Sequence, residues 1–271
     1  MKTPLLAIIS LAAAIPSHAD LPMIQEKPWL GTFLGYDSKS ARFGISSKGN
    51  ALIEPLKRDG TPIAVTNPVK VKFDIFETLP DGSTVRKMIA DDAFTSDSPA
   101  SIDPDKPVTI RGKATGDATF EITASEDRGA ISLTGRITDK GTLTNPLRLA
   151  ISIDLLPYKY SNQGDKDSQQ KSFEKKAKRD EIRIELANRE KLKFDFLDTM
   201  NLHEKTKDGF VSAEIRTEGY GGLRWNLTAS PKSKLHFEDK GDRPVWNGFS
   251  ISWSVNEGAD PAAEKFTIEY K

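Results

Sequence analysis

Residues 57–79, KRDGTPIAVTNPVKVKFDIFETL, align without a gap on residues 178–200, KRDEIRIELANREKLKFDFLDTM. Two further blocks follow in the same order. Residues 108–125 match 213–230, with Ile110-Arg111 on Ile215-Arg216, Gly116 on Gly221 and Thr123-Ala124-Ser125 on Thr228-Ala229-Ser230. Asp139-Lys140-Gly141 then matches Asp239-Lys240-Gly241, and Leu149, Ile151, Ser152 and Ile153 fall on Phe249, Ile251, Ser252 and Trp253. Order kept over three blocks reads as an internal duplication, with copies at 57–154 and 178–254. The length differences fall between blocks, at 80–107 against 201–212 and at 126–138 against 231–238. Surface loops, one of them with an added hairpin, absorb such differences most cheaply.

Alternation dominates within the copies. Val71, Phe73 and Ile75 alternate with Lys70, Lys72 and Asp74; Leu192, Phe194 and Phe196 do so with Lys191, Lys193 and Asp195. Phe120 and Ile122 correspond to Trp225 and Leu227, and Ile131, Leu133, Gly135 and Ile137 form another such row. One buried and one wet face is the mark of antiparallel sheet. Turn signals separate the runs, among them Pro80-Asp81-Gly82, Asp127-Arg128-Gly129 and Lys207-Asp208-Gly209. The expectation is an all-β chain of tandem antiparallel β-sandwich modules of immunoglobulin-like size, joined by a partly helical linker. The first module spans 20–158, the linker 159–180 and the second module 181–271. The competing arrangement is one composite sandwich or barrel that draws strands from both copies. Residues 29–56, with a turn at Ser47-Lys48-Gly49-Asn50, and residues 264–270 add strands outside the copies that could complete or cover sheet edges. Within 161–180, Phe173 and Ala177 are four residues apart and share one face of a helix.

Residues 1–19 read as a secretory signal: Lys2, an apolar run from Pro4 to Ile15, the breaker Pro16, and small residues at Ser17 and Ala19 before a cleavage site at Asp20. The run is shorter than the roughly 20 residues of a membrane-spanning helix, and no later stretch could span as one. Export to a periplasm or extracellular space follows. The chain has no cysteine, which excludes disulfides, thiolate catalysis and Cys-zinc sites. Lys plus Arg and Asp plus Glu are both 39, so no net charge favours nucleic acid or anionic lipid.

No phosphate-cradling loop, nucleophile elbow or H-E-x-x-H motif occurs. After the signal only His203 and His236 remain, and both read as surface histidines. Asp91, Asp92, Asp97, Asp103 and Asp105 lack the spacing of a calcium loop and read as a solvated acidic segment. No cofactor, metal or catalytic set is expected. Trp225 and Trp253 align with Phe120 and Ile153 and belong to the core. Trp246 and Tyr220 are left as the surface-aromatic candidates, since planar side chains stack on sugar rings. The recurrence of Lys70, Lys72, Asp74 and Thr78 as Lys191, Lys193, Asp195 and Thr199 fits a duplicated ligand site or cross-strand ion pairs. Three functions remain open: a non-enzymatic exported protein with an envelope-structural or protein-interaction role, a carbohydrate-binding module that meets polysaccharide through Trp246 and Tyr220, and a hydrolase whose carboxylates the spacing does not single out.

Overall fold

The computed structural model describes residues 31–46, 48–63, 68–90, 94, 106–198, 202–222, 224–238, 245 and 248–271. Ser47, Asn247, Thr199, Trp246, the five aspartates from Asp91 to Asp105 and the amino-terminal thirty residues lie outside them. The strands are β1 (Thr32–Asp37), β2 (Ala41–Ser46), β3 (Ala51–Pro55), β4 (Val69–Thr78), β5 (Thr84–Lys87), β6 (Val108–Lys113), β7 (Thr119–Asp127), β8 (Ala130–Asp139) and β9 (Leu147–Leu155). Helix α1 (Lys166–Ala177) follows, then β10 (Glu181–Glu185), β11 (Lys191–Asp195), α2 (Leu202–Thr206), β12 (Ser212–Arg216), β13 (Arg224–Ala229), β14 (Leu235–Phe237), β15 (Phe249–Asn256) and β16 (Phe266–Tyr270). Among the described residues no helix is long and apolar enough to cross a membrane.

The all-β, antiparallel sandwich class is what the chain adopts. Two eight-stranded sheets form it. The first runs β1-β2-β3-β4-β9-β15-β14, with β5 beside β4; the second runs β11-β10-β12-β13-β16-β8-β7-β6. Both sheets cross the boundary between the copies. In the first, β9 pairs with β15; in the second, β16 sits between β13 and β8. The inward rows of both sheets form one apolar cluster, with Phe120, Ile151, Trp225 and Trp253 all at 0% exposure. The tandem order of the copies is therefore an order in sequence; in space the composite arrangement holds. The physical reason is edge pairing. A module ending at β9 would leave that strand's hydrogen-bonding edge bare, and β15 covers it.

The blocks that match in sequence can be followed through the strand order. The hairpins β6-β7 and β12-β13 flank the β16/β8 pair in mirrored order within one sheet. Strands β9 and β15 are direct neighbours, and Ser152 stands opposite its sequence counterpart Ser252. The first block behaves differently. β4 lies in the first sheet and β11 on the edge of the second, although their sequences match. The expected edge role of the terminal strands holds for β1–β3; β16 instead is an internal strand that joins the two halves. Of the two segments where an added hairpin could absorb the length difference, 80–107 holds β5, which pairs with β4. Residues 126–138 lie largely in the β7-β8 hairpin, in keeping with the alternating row Ile131, Leu133, Gly135 and Ile137 and not with a loop through this stretch; Ile131 and Leu133 are held in the core.

Helix α1 begins at Asp165, whose carboxylate accepts from the Ser168 N–H at 2.8 Å, an N-cap. Ala177 is buried, and Phe173 packs on Tyr158 and Tyr160 with centroids 5.5 and 5.2 Å away. The segment expected as a linker is thus docked on the sandwich by its two apolar residues.

Candidate functional site

Side chains on successive strand residues point to opposite faces. Leu149, Ile151 and Ile153 enter the core, so Ala150, Ser152 and Asp154 of β9 face outward. On β15, Ile251 and Trp253 enter the core and Ser250, Ser252 and Ser254 face outward. The register aligns these residues into rows. Lys70 of β4 stands beside Asp154, Asp154 beside Ser250, and the Glu238 N–H donates to the Ser250 carbonyl at 3.0 Å. The next row reads Lys72, Ser152, Ser252 and His236. The one after it reads Asp74, Ala150 and Ser254.

The middle two strands thus carry short outward side chains between Asp154 at one end and Arg148, in the row with Asn256, at the other. The flanking strands carry long ones. The product is a polar trough with a serine floor, walled by Lys70 and Lys72 on one side and by His236 and Glu238 on the other. Strand spacing puts its walls roughly 14 Å apart at the backbone. Ser152 and Ser252 are 7% and 1% exposed although they face away from the apolar core. The Ser250 hydroxyl donates to Asp154, the Ser252 hydroxyl donates to Glu238, and the Lys72 ammonium pairs with Asp154. Burial pushes the His236 imidazole below its ordinary value, against the pull of the Glu238 carboxylate, which favours the neutral ring with one donor and one acceptor nitrogen. Two carboxylates, serine hydroxyls, an ammonium and an imidazole therefore share one surface.

The outward face of the second sheet contrasts with this. It carries cross-strand ion pairs in place of a row of serines: Glu121 with Arg136 at 2.7 Å, Glu214 with Arg183 at 3.4 Å, and Glu181 with Lys193 at 2.8 Å. Three of the recurring residues of the first block, Lys72, Asp74 and Lys193, are in ion pairs. Asp74 pairs with Arg86 at 2.5 Å, Lys72 with Asp154 and Lys193 with Glu181.

Beyond the end of β9 the chain opens a cleft of about 770 Å³ between α1 and a 3-10 turn at Glu218–Tyr220. Lys159, Lys175, Lys176, Arg179 and Glu218 line it, with Phe173 in its floor. Behind that floor lies Asp180, 2% exposed. Its carboxylate accepts from the Tyr158 hydroxyl at 2.5 Å, the Thr217 hydroxyl at 2.6 Å and the Glu218 N–H at 2.9 Å. Burial pushes this carboxyl up, and the hydrogen bonds from Thr217 and Tyr158 offset part of that.

Tyr220 is not a surface residue, contrary to the sequence expectation. Its ring is 0% exposed and stands 5.7 Å from that of Trp225; its hydroxyl accepts from the Leu156 N–H at 3.0 Å. The 3-10 turn rotates the ring inward, and Gly221 closes it at φ 76°, a left-handed conformation that glycine adopts without strain. Gly219 permits the close approach, since a Cβ there would collide with the Pro157 backbone. Its intended partner Trp246 lies outside the described residues. The structure therefore supplies no aromatic platform from this pair. The two histidines read as surface residues are partly buried: His203 packs edge-on to Phe237 with centroids 6.0 Å apart, and His236 enters the trough wall. Among the described residues no cluster of three metal-ligating side chains occurs. Sequence reasoning missed Asp154, Ser250 and Glu238. The signal that could have found them is the alternate serines 250, 252 and 254 in one strand, set beside Ser152 and Asp154 in its duplicate.

No family model matches the chain, and no curated protein matches its sequence. Solved structures of similar fold include a bacterial glucoamylase, at TM-score 0.43 and 7% identity over 86% of this chain, of whose length the match covers 30%. A protein from Synechocystis sp. PCC 6803 gives 0.44 and 9% over 88% of this chain and 94% of its own. A putative aldose 1-epimerase from Escherichia coli K12 gives 0.42 and 10% over 88% of this chain and 98% of its own. The likeness is one of β-sandwich architecture, and no residue of this chain takes a role from it.

Proposed function

We propose that this chain is an exported, non-enzymatic binding protein whose ligand is a hydroxyl-rich saccharide held in the serine trough. The observation that carries the reading is the pair Ser250–Asp154 and Ser252–Glu238 on a floor of buried outward-facing serines. Hydroxyl groups of a sugar both donate and accept, and a surface that recognises them needs fixed carboxylate acceptors beside fixed donors. Asp154 and Glu238 supply the acceptors, Lys72 and neutral His236 the donors, and the serines either. Short floor residues let a flat ring approach the sheet. The ligand contact thus moves from the surface aromatics expected from sequence to a polar face. Export rests on the character of residues 1–19.

The test is a glycan array probed with the mature protein, followed by calorimetry on the Asp154→Asn/Glu238→Gln variant. Hydrogen bonds to charged groups contribute about 1.5–3 kcal/mol each, so the variant is expected to bind at least ten-fold more weakly. No glycan retained by the wild-type protein, or equal affinity of the variant, would overturn the saccharide reading in favour of a structural or protein-interaction role. Release of reducing sugar from a retained glycan would overturn the non-enzymatic part and make Asp154 and Glu238 the carboxylates of a hydrolase. Amino-terminal sequencing of the secreted protein is expected to begin at Asp20; full-length protein retained in the cytoplasm would contradict export.

A further inference from the structure

We propose that the cleft between α1 and the Glu218 turn is an anion subsite that takes the carboxylate or sulfate groups of an acidic saccharide. The inference rests on the saccharide reading of the trough and adds the charge of the ligand. Four cations, Lys159, Lys175, Lys176 and Arg179, line the cleft against one carboxylate, Glu218. None of the four has an ion-pair or hydrogen-bond partner among the described residues. In a chain whose charges sum to zero, this is a local excess. Helix polarity explains part of it, since Lys175 and Lys176 occupy the last turn of α1, where cations are favoured. It does not explain Lys159 on the β9 side, nor Arg179 beyond the helix end.

The geometry favours a sugar chain over an acidic peptide. Ser172, Lys175 and Lys176 recur at the spacing of a single helical face, and Arg179, just past the helix end, lines the same cleft, so the cations lie together along one side of it. Phe173 is among the lining residues and packs against Tyr158 and Tyr160, which adds apolar surface beside the charges. A uronate or sulfated sugar matches both, with an apolar ring face and anionic substituents. Position adds a third argument. The cleft wall begins at Pro157, just beyond Asp154 and Leu155 on the same chain segment. A polymer lying over the trough and leaving it at the Lys70–Asp154–Ser250 row would run toward the cations.

The experiment is calorimetry on the mature protein with four probes of similar length: oligogalacturonate, sulfated dextran, neutral dextran and polyglutamate. One anionic saccharide is expected to bind at least ten-fold more tightly than neutral dextran, with affinity that falls as salt shortens the screening length from roughly 10 Å toward 3 Å. Preference for oligogalacturonate or for sulfated dextran distinguishes the two sources of charge. Lys175→Ala/Lys176→Ala/Arg179→Ala replaces exposed residues and preserves the fold. It is expected to lose roughly ten-fold for the anionic saccharide and nothing for neutral dextran. Affinity within two-fold of wild type in that variant, no binding of either anionic saccharide, or polyglutamate binding as tightly as the sugars would each overturn the inference. The Asp154→Asn/Glu238→Gln variant separates the two proposals. If it keeps full affinity for oligogalacturonate while the triple variant loses it, the cleft stands and the trough reading fails. The reverse pattern leaves the trough and removes the cleft.

Discussion

Replacing Asp180 by Ala removes the acceptor of three donors at once. Tyr158 and the adjacent pair Thr217-Glu218 come from two separate places in the chain, and their three donors converge on this one buried carboxylate at 2.5, 2.6 and 2.9 Å. A buried donor left without a partner costs about 1–3 kcal/mol, while water entering the vacated space restores part of this. Breaking a buried, hydrogen-bonded charge elsewhere typically costs about 3–5 kcal/mol. The expected loss for Asp180→Ala is therefore roughly 3–5 kcal/mol. Asp180→Asn keeps one acceptor oxygen and is expected to lose about half as much. The sequence supplies an internal control. Asp59 aligns with Asp180, yet its carboxylate is exposed and accepts only from the Thr61 N–H and hydroxyl in a local turn. Asp59→Ala is expected to leave the urea midpoint where it was. Equilibrium urea unfolding followed by tryptophan fluorescence reads all three variants. A loss below about 1 kcal/mol for Asp180→Ala, or an equal loss for Asp59→Ala, would refute the reading of Asp180 as the buried acceptor that ties these three donors together.

The raised Asp180 carboxyl also sets a pH dependence. A folded value above the ordinary 3.8 means that its contribution is fully present below 3.8 and falls as pH rises through the folded value; wild type should lose ground against Asp180→Asn over that window, and a constant difference would contradict it. His236 has the opposite sense: its depressed folded value gives stability that is present above 6.5 and lost as pH falls through the folded value. An NMR titration should place its midpoint below 6.5, and a midpoint at or above 6.5 would contradict the burial. Ser233→Ala removes the acceptor of the Trp253 indole N–H, now at 2.8 Å, and is expected to cost about 1–3 kcal/mol in urea unfolding, while no loss would show that the buried indole finds another partner. The shared sheets require a single thermal transition for the whole chain, and a fragment 20–158 lacking β15 should show little tertiary signal; two separable transitions would contradict the composite sandwich.

The strands were legible because burial has a period of two, and Trp225 and Trp253 were legible as core because each shares parity with apolar neighbours. Helix α1 was legible from Phe173 and Ala177. What period cannot specify is which strand pairs with which. The sequence of β4 resembles that of β11, and either would satisfy either sheet, so the alignment does not reveal that they part company. The trough was hidden for the same reason. Ser152, Asp154, Ser250 and Ser252 become one surface only when β9 lies beside β15, a contact nearly one hundred residues long-range. Tyr220 misled because a glycine-rich turn looks like exposed loop, whereas Gly219 and Gly221 here serve to press an aromatic ring into the core.

The trough is the center of the functional account, and amide chemical-shift mapping tests it most directly. The protein, labelled with nitrogen-15, would be titrated with the glycan that binds best on the array. The largest shifts are expected at Ser152, Asp154, Ser250, Ser252 and His236, with the second sheet's outward residues Glu121, Arg183 and Glu214 unmoved. Shifts confined to the second sheet, or none at saturating glycan, would contradict it.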